Sequence, residues 1–355
     1  MGPQETDPQE WQQPAHDRAG RRPRRVSRVD VARRAGVSAQ TVSRVINGDP
    51  VVAGSTRQRV VDAMAELGYR PNRAARALKS GEFRTLGVML FTLSSTGNSR
   101  TLDAIATHAA AEGYTTTLLP VIAPTQEEVS GAFSRLEELA VDAVIAIVEV
   151  HLLDAATITL PPRAEVVVVD SDAGDRYTVV DTDQVEGARQ AVRHLLDLGH
   201  RTVWHVAGPV GSFAAERRAR SWRRELEAAG RPVPPLLRGD WSAASGYAAG
   251  ERLAADPSCT AVFVANDEMV LGVLRALRTR GRRVPEDVSV VGFDDLAESA
   301  YFAPPLTTVH QDFAEVGRRC VEQALRQIRG ERPEHGTTLV PTRLVVREST
   351  APPRR

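Results

Sequence analysis

Residues 29–47, VDVARRAGVSAQTVSRVIN, have the pattern of two short helices joined by a tight turn. Ser27 can cap the first helix, and Asp30, three residues later, supplies the acidic partner of a capping box. Gly36 suits the end of that helix and the sharp bend that follows it. Ser38 stands where the second helix needs a cap. We therefore predict a helix-turn-helix module in this stretch.

The second helix carries two different stripes. Val42, Val45 and Ile46 repeat at i, i+3, i+4 and are predicted to face a core. The opposite stripe consists of polar residues at i, i+3, i+4, i+7: Gln40, Ser43, Arg44 and Asn47. Gln and Asn can pair with adenine, and Arg with guanine or phosphate, so the stripe favours DNA recognition. An ordinary amphipathic hairpin with a solvated polar face is the alternative for the helix pair alone.

Charge is distributed unevenly along the 355-residue chain, although its formal net charge is zero. Residues 21–84 carry 15 Lys and Arg against 5 Asp and Glu, whereas residues 85–355 carry 29 against 36. A basic front followed by an acidic body predicts a polyanion partner, such as nucleic acid, for the front. Residues 1–26, rich in Pro, Gln and charged side chains, are predicted to be a disordered tail.

Other features narrow the class of protein. Cys259 and Cys320 are far apart and in no metal-ligand spacing, which indicates a reducing cytoplasm without a disulfide framework. The sequence has no apolar run of about 18 residues to span a membrane, and its polar start predicts no signal peptide. It contains no HExxH, P-loop, nucleophile elbow or metal-spaced Cys/His set. We expect no enzyme activity, no metal and no cofactor.

A third helix is predicted over residues 56–67, with Ser55 and Gln58 as its capping box. After a break at residues 68–71, NRAARALK contains good helix formers. It is shorter than the roughly 12–15 residues that an isolated helix needs in water, so it should stay disordered until something holds it. We predict a DNA-binding domain over residues 27–70 and a hinge helix or linker over residues 71–83.

From residue 85 onward, strands and helices alternate. The buried-type strands DAVIAIV and EVVVVD are apolar throughout, which is typical of parallel sheets. The first helix of this part is predicted over residues 102–112. The β-α-β alternation predicts an α/β fold with two doubly wound parallel sheets. We predict a ligand-binding core made of a first lobe (84–183 and 311–340) and a second lobe (184–310 and 341–350). A tail (351–355) follows it.

Six long motifs then occur in one order: VDVARRAGVSAQTVSRVING, ELGYRPNRAARALKSG, GDWSAASGY, VFVANDEMVLGVLRAL, VPEDVSVVGFDD and PPLTTVHQDFAEVG. Through these motifs the chain resembles the LacI–GalR (lactose repressor/galactose repressor) family of transcription regulators from about residue 29 to residue 350. The resemblance implies a three-helix DNA-binding head, a hinge helix and a two-lobed core like that of periplasmic binding proteins. Ligand then binds between the lobes.

The resemblance also implies residues that contact DNA. They are Ala39 and Gln40 at the start of the recognition helix, then Thr41, Ser43, Arg44 and Asn47, and in the hinge Asn72, Ala75 and Leu78. Leu78 matches a leucine that wedges into the minor groove, where it costs unstacking energy but gives bent DNA with more contacts. Ala39 is smaller than the residue in some members and leaves mostly a methyl contact. Ala53 replaces a helix-capping Ser of the family, and Ser55 is expected to take over.

For the core, the resemblance implies a ligand site built from six residues: Phe91, Asp170, Arg218, Trp241, Asn266 and Asp294. A guanidinium fork such as that of Arg218 can bind two neighbouring hydroxyls. Trp241 matches an aromatic wall for a sugar ring. Phe91 is bulkier than the residue in some members. A core position for Trp241, and helix caps for Asp170 and Asp294, are the alternatives.

These observations predict a cytoplasmic repressor that binds a pseudo-palindromic DNA operator and is released by a small sugar or glycoside. A homodimer is expected, because the chain ends in STAPPRR without the leucine heptad that joins dimers in some members. A regulator activated by a co-repressor is the first alternative. A sugar-binding protein without a DNA function, and a glycoside-cleaving enzyme, are the others.

Overall fold

The computed structural model describes residues 26–46, 49–70, 82–93, 95–121, 125–147, 165–171, 177–331 and 336–354. The chain divides into two compact units, residues 1–79 and 80–355. Residues 71–81 of the predicted hinge segment, with Asn72, Ala75 and Leu78, lie outside the described residues, as do Asn47 and nearly all of the predicted N-terminal tail.

The first unit is a small three-helix module with α1 (Arg28–Ala35), α2 (Ala39–Ile46) and α3 (Gly54–Glu66). The predicted capping box is present, because the Ser27 hydroxyl accepts from the Asp30 amide and Asp30 accepts from the Ser27 amide. Gly36 ends α1 with φ 61°, a conformation that glycine adopts without strain. These features confirm the predicted first helix and its turn.

The second helix also begins where the sequence predicted. The Ser38 hydroxyl accepts a hydrogen bond from the amide of Thr41 at 3.1 Å. Val42 and Val45 are buried, and Ile46 packs against the same apolar cluster. The apolar stripe of α2 therefore holds the helix on the module and leaves its polar stripe outside.

The predicted start of the third helix was wrong. Helix α3 begins at Gly54 and has Ala53 as its N-cap, without a side-chain cap. The amide of Arg57 donates to the Ala53 carbonyl at 3.0 Å, so the first turn already contains Ser55. The side-chain Nε2 of Gln58 donates to Oδ1 of Asp62, so Gln58 does not form the predicted capping box with Ser55.

The second unit contains two six-stranded sheets among its described residues. The strands of the first sheet are β1 (Thr85–Leu90), β2 (Thr115–Pro120), β3 (Ala143–Ile147), β4 (Val166–Val169), β5 (Thr178–Thr182) and β11 (Gly336–Val340). Those of the second are β6 (Trp204–Ala207), β7 (Leu237–Arg238), β8 (Ala261–Val264), β9 (Ser289–Asp294), β10 (Thr307–His310) and β12 (Arg343–Val345). The first sheet has the order β11-β5-β4-β3-β1-β2 and is parallel throughout. The second has the order β12-β10-β9-β8-β6-β7 and is parallel except for its edge strand β12.

Helices cover both faces of each sheet, as apolar parallel strands require. In the first lobe α4 (Thr96–Ala111) and α10 (Phe313–Ile328) share one face, and α5 (Gln126–Glu138) covers the other. In the second lobe α6 (Gln184–Asp197) and α7 (Phe213–Ala228) share one face, and α8 (Ala243–Ala255) with α9 (Asp267–Thr279) cover the other. The predicted α/β fold with two mostly parallel sheets is confirmed.

Three segments cross between the lobes: β5 to α6, β10 to α10, and β11 to β12. The first and third crossings are tied by the amide of Asp183, which donates to the Val340 carbonyl at 2.9 Å. The Thr342 hydroxyl donates to the Asp183 carbonyl at 3.2 Å. The first and third crossings are therefore joined to each other by two hydrogen bonds.

Within this unit the structure differs from the predictions made from the sequence in three respects. Helix α4 begins at Thr96, six residues before its predicted start, because its first turns carry polar side chains that give no apolar period. Strands β5, β7 and β10 were not predicted. Ala351, assigned to a tail, packs on the second lobe, where its amide donates to the Ser289 hydroxyl at 3.0 Å.

Candidate functional site

A polar cleft opens between the two lobes of the second unit. The cleft lies at the carboxyl ends of the parallel strands, which is where open α/β sheets bind ligands. The polar residues that line it are Ser95, Thr96, Asn98, Thr101, Asp170, Asp181, Thr182, Gln184, Arg218, Trp241, Asn266, Asp294 and Gln311.

Arg218, on α7, is the central cation of the cleft. Its Nε donates to Oε1 of Gln184 at 2.8 Å, and its Nη1 donates to the carbonyl of Ala265. The guanidinium carbon lies 3.7 Å from the ring centroid of Phe293 and 5.6 Å from that of Trp241. Contacts on the edge and face of the guanidinium hold it in one orientation, so it is preorganised for a ligand.

Asp294 ends β9 with φ 114° and is almost fully buried. Its Oδ1 lies 3.9 Å from Nη1 of Arg218 and accepts a hydrogen bond from Nε2 of Gln311 at 2.6 Å. Burial raises the pKa of Asp294 to about 7, although Arg218 opposes the shift. The strained backbone and perturbed carboxyl are typical of a binding site.

Asp170 and Trp241 each leave one polar atom without a partner. Oδ1 of Asp170, at the end of β4, and Nε1 of Trp241 are buried, and neither makes a hydrogen bond with the described residues. Burial raises the pKa of Asp170 to about 6. A carboxylate oxygen needs a donor and an indole N–H needs an acceptor, and a ligand hydroxyl can serve as either.

Trp241 is held in place by its own backbone and by two neighbours. Its φ is 74°, and its carbonyl accepts a hydrogen bond from Nδ2 of Asn266 at 3.1 Å. A side chain at Gly208 would overlap the indole ring, so glycine is required there. Trp241 is therefore a wall of the cleft that also contacts the core of the second lobe.

Asn266 is the site residue that caps a helix. Its Oδ1 accepts from the amide of Met269 at 3.0 Å at the start of α9. Asp170 and Asp294, for which caps were the alternative, instead stand at strand ends in the cleft. Phe91 is not brought to the site: it packs, partly buried, on the apolar cluster between the first sheet and α5.

Side chains of the two lobes meet across the cleft, among the residues that the structure describes. Nη1 of Arg217 on α7 lies 3.3 Å from Oδ2 of Asp181 on β5. The hydroxyl of Thr96 donates to the carboxylate of Glu268 on α9. Burial, and then the neighbouring Asp170, raise the pKa of Asp181 well above its ordinary value, while Arg217 lowers it.

Sequence reasoning missed Gln184, Gln311 and Asp181. Gln184 and Asp181 were overlooked because β5, which ends beside them, was not predicted. Gln311 follows β10, another missed strand, although it lies inside the motif PPLTTVHQDFAEVG. The sequence signal that could have found them is a polar residue directly after a short apolar run, because open α/β sheets bind ligands at the ends of their strands.

The head presents the predicted polar stripe on α2. Ala39, Gln40 and Arg44 are exposed, and Thr41 and Ser43 are partly exposed. The Thr41 hydroxyl is 2.9 Å from that of Ser38, so one of its hydrogen bonds serves the start of the helix.

Among the described residues, no group of His, Cys, Asp and Glu suits a metal ion, and no helix is long and apolar enough to cross a membrane.

A family profile described as "Bacterial regulatory proteins, lacI family" matches residues 29–72. Another, described as "Periplasmic binding protein-like domain", matches residues 192–350. The lactose operon repressor of Klebsiella pneumoniae is 36% identical over 336 residues, which are 93% of this chain and 94% of that repressor. The chain belongs to the lacI family of bacterial regulatory proteins.

The regulator also resembles solved structures over most of its length. A Lac repressor dimer bound to operator and the anti-inducer ONPF matches with a TM-score of 0.82 and 33% identity, covering 92% of this chain and 100% of that one. The transcriptional regulator CelR in complex with cellobiose matches with a TM-score of 0.66 and 32% identity over the same shares. These findings confirm the prediction of a DNA-binding transcription regulator and not an enzyme.

Proposed function

We propose that this regulator is a repressor that binds a pseudo-palindromic operator as a homodimer and is released by a small sugar or glycoside. The observation that carries the ligand class is the pair of unpartnered atoms in the cleft, Oδ1 of Asp170 and Nε1 of Trp241. Because one needs a donor and the other an acceptor, a hydroxyl-rich ligand satisfies both. Such a regulator of bacterial DNA works in the cytoplasm.

The cleft offers a sugar partners from both lobes. Asp170 comes from the first lobe, and Arg218, Asn266 and Asp294 come from the second. A ligand that bonds to both sides favours one lobe arrangement, and only such a difference in affinity can shift an equilibrium. Phe91 is left out of the proposed ligand set because it packs elsewhere.

For DNA we propose that the exposed α2 stripe reads the major groove. Gln40 and Arg44 supply the base-reading chemistry, while Thr41 and Ser43 serve phosphates. Ala39 offers a methyl contact to thymine. Asn47, Asn72, Ala75 and Leu78 remain in the proposal from the family resemblance alone, as do the predicted boundaries of the head, hinge and lobes.

The experiment is a thermal-shift panel of lactose, cellobiose, simple monosaccharides and purine bases on the full chain. A ligand that binds only the folded state raises its stability, by about 2.7 kcal/mol at 100 times Kd. We expect at least one sugar to raise the melting temperature and to weaken operator binding. Stabilisation by a purine alone would contradict the sugar class, and tighter operator binding with the sugar would favour the co-repressor alternative.

A further inference from the structure

Four buried side chains form a continuous hydrogen-bonded chain, which we call the amide bridge: Arg218, Gln184, Gln311 and Asp294. Nε of Arg218 donates to Oε1 of Gln184 at 2.8 Å, Nε2 of Gln184 donates to Oε1 of Gln311 at 3.4 Å, and Nε2 of Gln311 donates to Oδ1 of Asp294 at 2.6 Å. None of the four is more than 5% exposed. The bridge therefore connects the cation and an anion of the cleft through two amides.

The bridge has one direction only. Arginine can only donate, so Gln184 must accept on Oε1 and donate from Nε2, and Gln311 then accepts and donates in the same way. Hydrogen bonds aligned in this way polarise one another. The link between Gln184 and Gln311 is the longest at 3.4 Å, beyond the usual 2.7–3.2 Å, and a small movement breaks it.

That longest link joins two of the segments that cross between the lobes. Gln184 opens α6 directly after Asp183, whose carboxylate accepts from the amide of Glu186 at 2.9 Å. Gln311 stands directly before Asp312, which caps α10 through the amide of Glu315 at 2.9 Å. Each glutamine is therefore the chain neighbour of a residue that caps a helix.

We propose that Gln184 and Gln311 are positioning residues that couple occupancy of the cleft to the angle between the lobes. An effector that takes up hydrogen-bonding capacity of Arg218 and Asp294 competes with the amides for the same groups, and the link between the crossings changes with it. The coupling to an effector rests on the proposed function. The link itself is a property of the protein without ligand.

The first test needs no effector. Gln184→Met and Gln311→Met remove the amides at nearly constant volume. Gln327→Met is the matched control, because Gln327 is also buried and its Nε2 donates to the Val166 carbonyl at 3.3 Å inside the first lobe. Spin labels on cysteines introduced at Leu139 and Arg231, one exposed site in each lobe, report the interlobe distance. Dilution with unlabelled protein leaves one labelled subunit per assembly, and the native Cys259 and Cys320 are buried.

We expect a narrow distance distribution in the parent protein and in Gln327→Met. Gln184→Met and Gln311→Met should each shift or broaden it, and the double variant should do so no more than either single one, because either substitution breaks the same chain. Unchanged distributions in both variants would overturn the proposal. Equal changes in Gln327→Met, or additive changes in the double variant, would also overturn it, since they indicate general loosening or independent roles.

The second test uses cellobiose and lactose as probes with the operator. We expect either bridge variant to reduce the change in operator Kd at saturating sugar to less than about 2-fold, from the ~5–150-fold typical of coupled sites. Operator Kd without sugar is measured for each variant as its own reference, and sugar Kd is measured so that every titration is done at saturation. A variant that binds sugar more weakly yet keeps the full change at saturation would overturn the coupling role. If neither sugar binds the parent protein, the proposed effector class fails, while the distance measurement still decides the bridge.

Discussion

The guanidinium of Arg217 in the second lobe lies 3.3 Å from the carboxylate of Asp181 in the first lobe, measured from Nη1 to Oδ2. Arg217 also stacks on Phe213, with its guanidinium carbon 4.2 Å from the ring centroid. Asp181 is 2% exposed, so its charge depends on this partner. An ion pair of this kind both joins the lobes and makes their stability depend on pH.

Arg217→Met should destabilise the protein at pH 8 by up to about 3–5 kcal/mol, the usual cost of leaving a buried charge unpaired. Removing Arg217 takes away the cation that lowers the pKa of Asp181, so this raised pKa rises further. The native state then binds a proton that the unfolded state releases, and the loss of stability shrinks as pH falls toward 6. Urea unfolding at the two pH values measures the difference.

Its control is the double variant Arg217→Met with Asp181→Asn, which removes both charges. We expect this protein to recover most of the lost stability at pH 8. A single variant with the same loss at both pH values, or a double variant that is no better, would show that the charge of Asp181 is not the cause.

Asp294→Asn should gain stability while losing the ligand. The pKa of Asp294 is about 7 in the folded protein because of burial, against an ordinary value of 3.8. Its ionised form therefore opposes folding above pH 7, and that cost disappears as pH falls toward 4. At about 1.36 kcal/mol per pKa unit, the gain at pH 8 is at most about 4 kcal/mol. Melting curves of both proteins at pH 8 and pH 5 should show a gap that narrows at the lower pH, and a constant gap would contradict the prediction.

The sequence predicted the elements whose pattern is local. The capping box of Ser27 and Asp30, the turn at Gly36 and the cap at Ser38 all followed from side chains and their immediate neighbours. The predicted cap at Ser55 was wrong. The first backbone hydrogen bond of α3 goes to Ala53, so the helix begins before Ser55 although serine is a suitable capping residue.

The cleft was harder to predict, because its geometry depends on contacts distant in the sequence. Arg218, Trp241, Asn266, Asp294 and Asp170 came from the family resemblance and do meet in the cleft. No local pattern indicates that Gln184 meets Gln311, 127 residues away, or that Phe91 packs on the first-lobe core. The contact between Gln184 and Gln311 depends on two crossing segments that lie far apart in the sequence.

Gln40→Ala should weaken operator binding by about 1–3 kcal/mol and leave binding to random DNA nearly unchanged, because a base contact and not a phosphate contact is lost. Gln58→Ala is the matched control, since Gln58 is an exposed glutamine on α3 outside the polar stripe. Gel-shift titrations on operator and random duplexes measure both. An equal loss on the two duplexes would remove Gln40 from base recognition.

Leu78→Ala should lose much operator affinity and DNA bending while the melting temperature of the core stays the same. The reason is the proposed wedge, since an apolar side chain that separates base steps is repaid by the contacts of bent DNA. Operator titration, a bending assay and thermal melting measure the three quantities. Normal bending with normal affinity would refute the wedge.

The central claim is that sugar in the cleft and operator on the head bind with negative coupling. The most direct measurement is operator titration of the full chain without sugar and with a saturating amount of the sugar found in the panel, alongside Arg218→Ala. We predict an operator Kd that rises ~5–150-fold with sugar, equivalent to about 1–3 kcal/mol, and an Arg218→Ala protein that binds operator normally and no longer responds. An operator Kd unchanged or lowered by a sugar that demonstrably occupies the cleft would contradict the account.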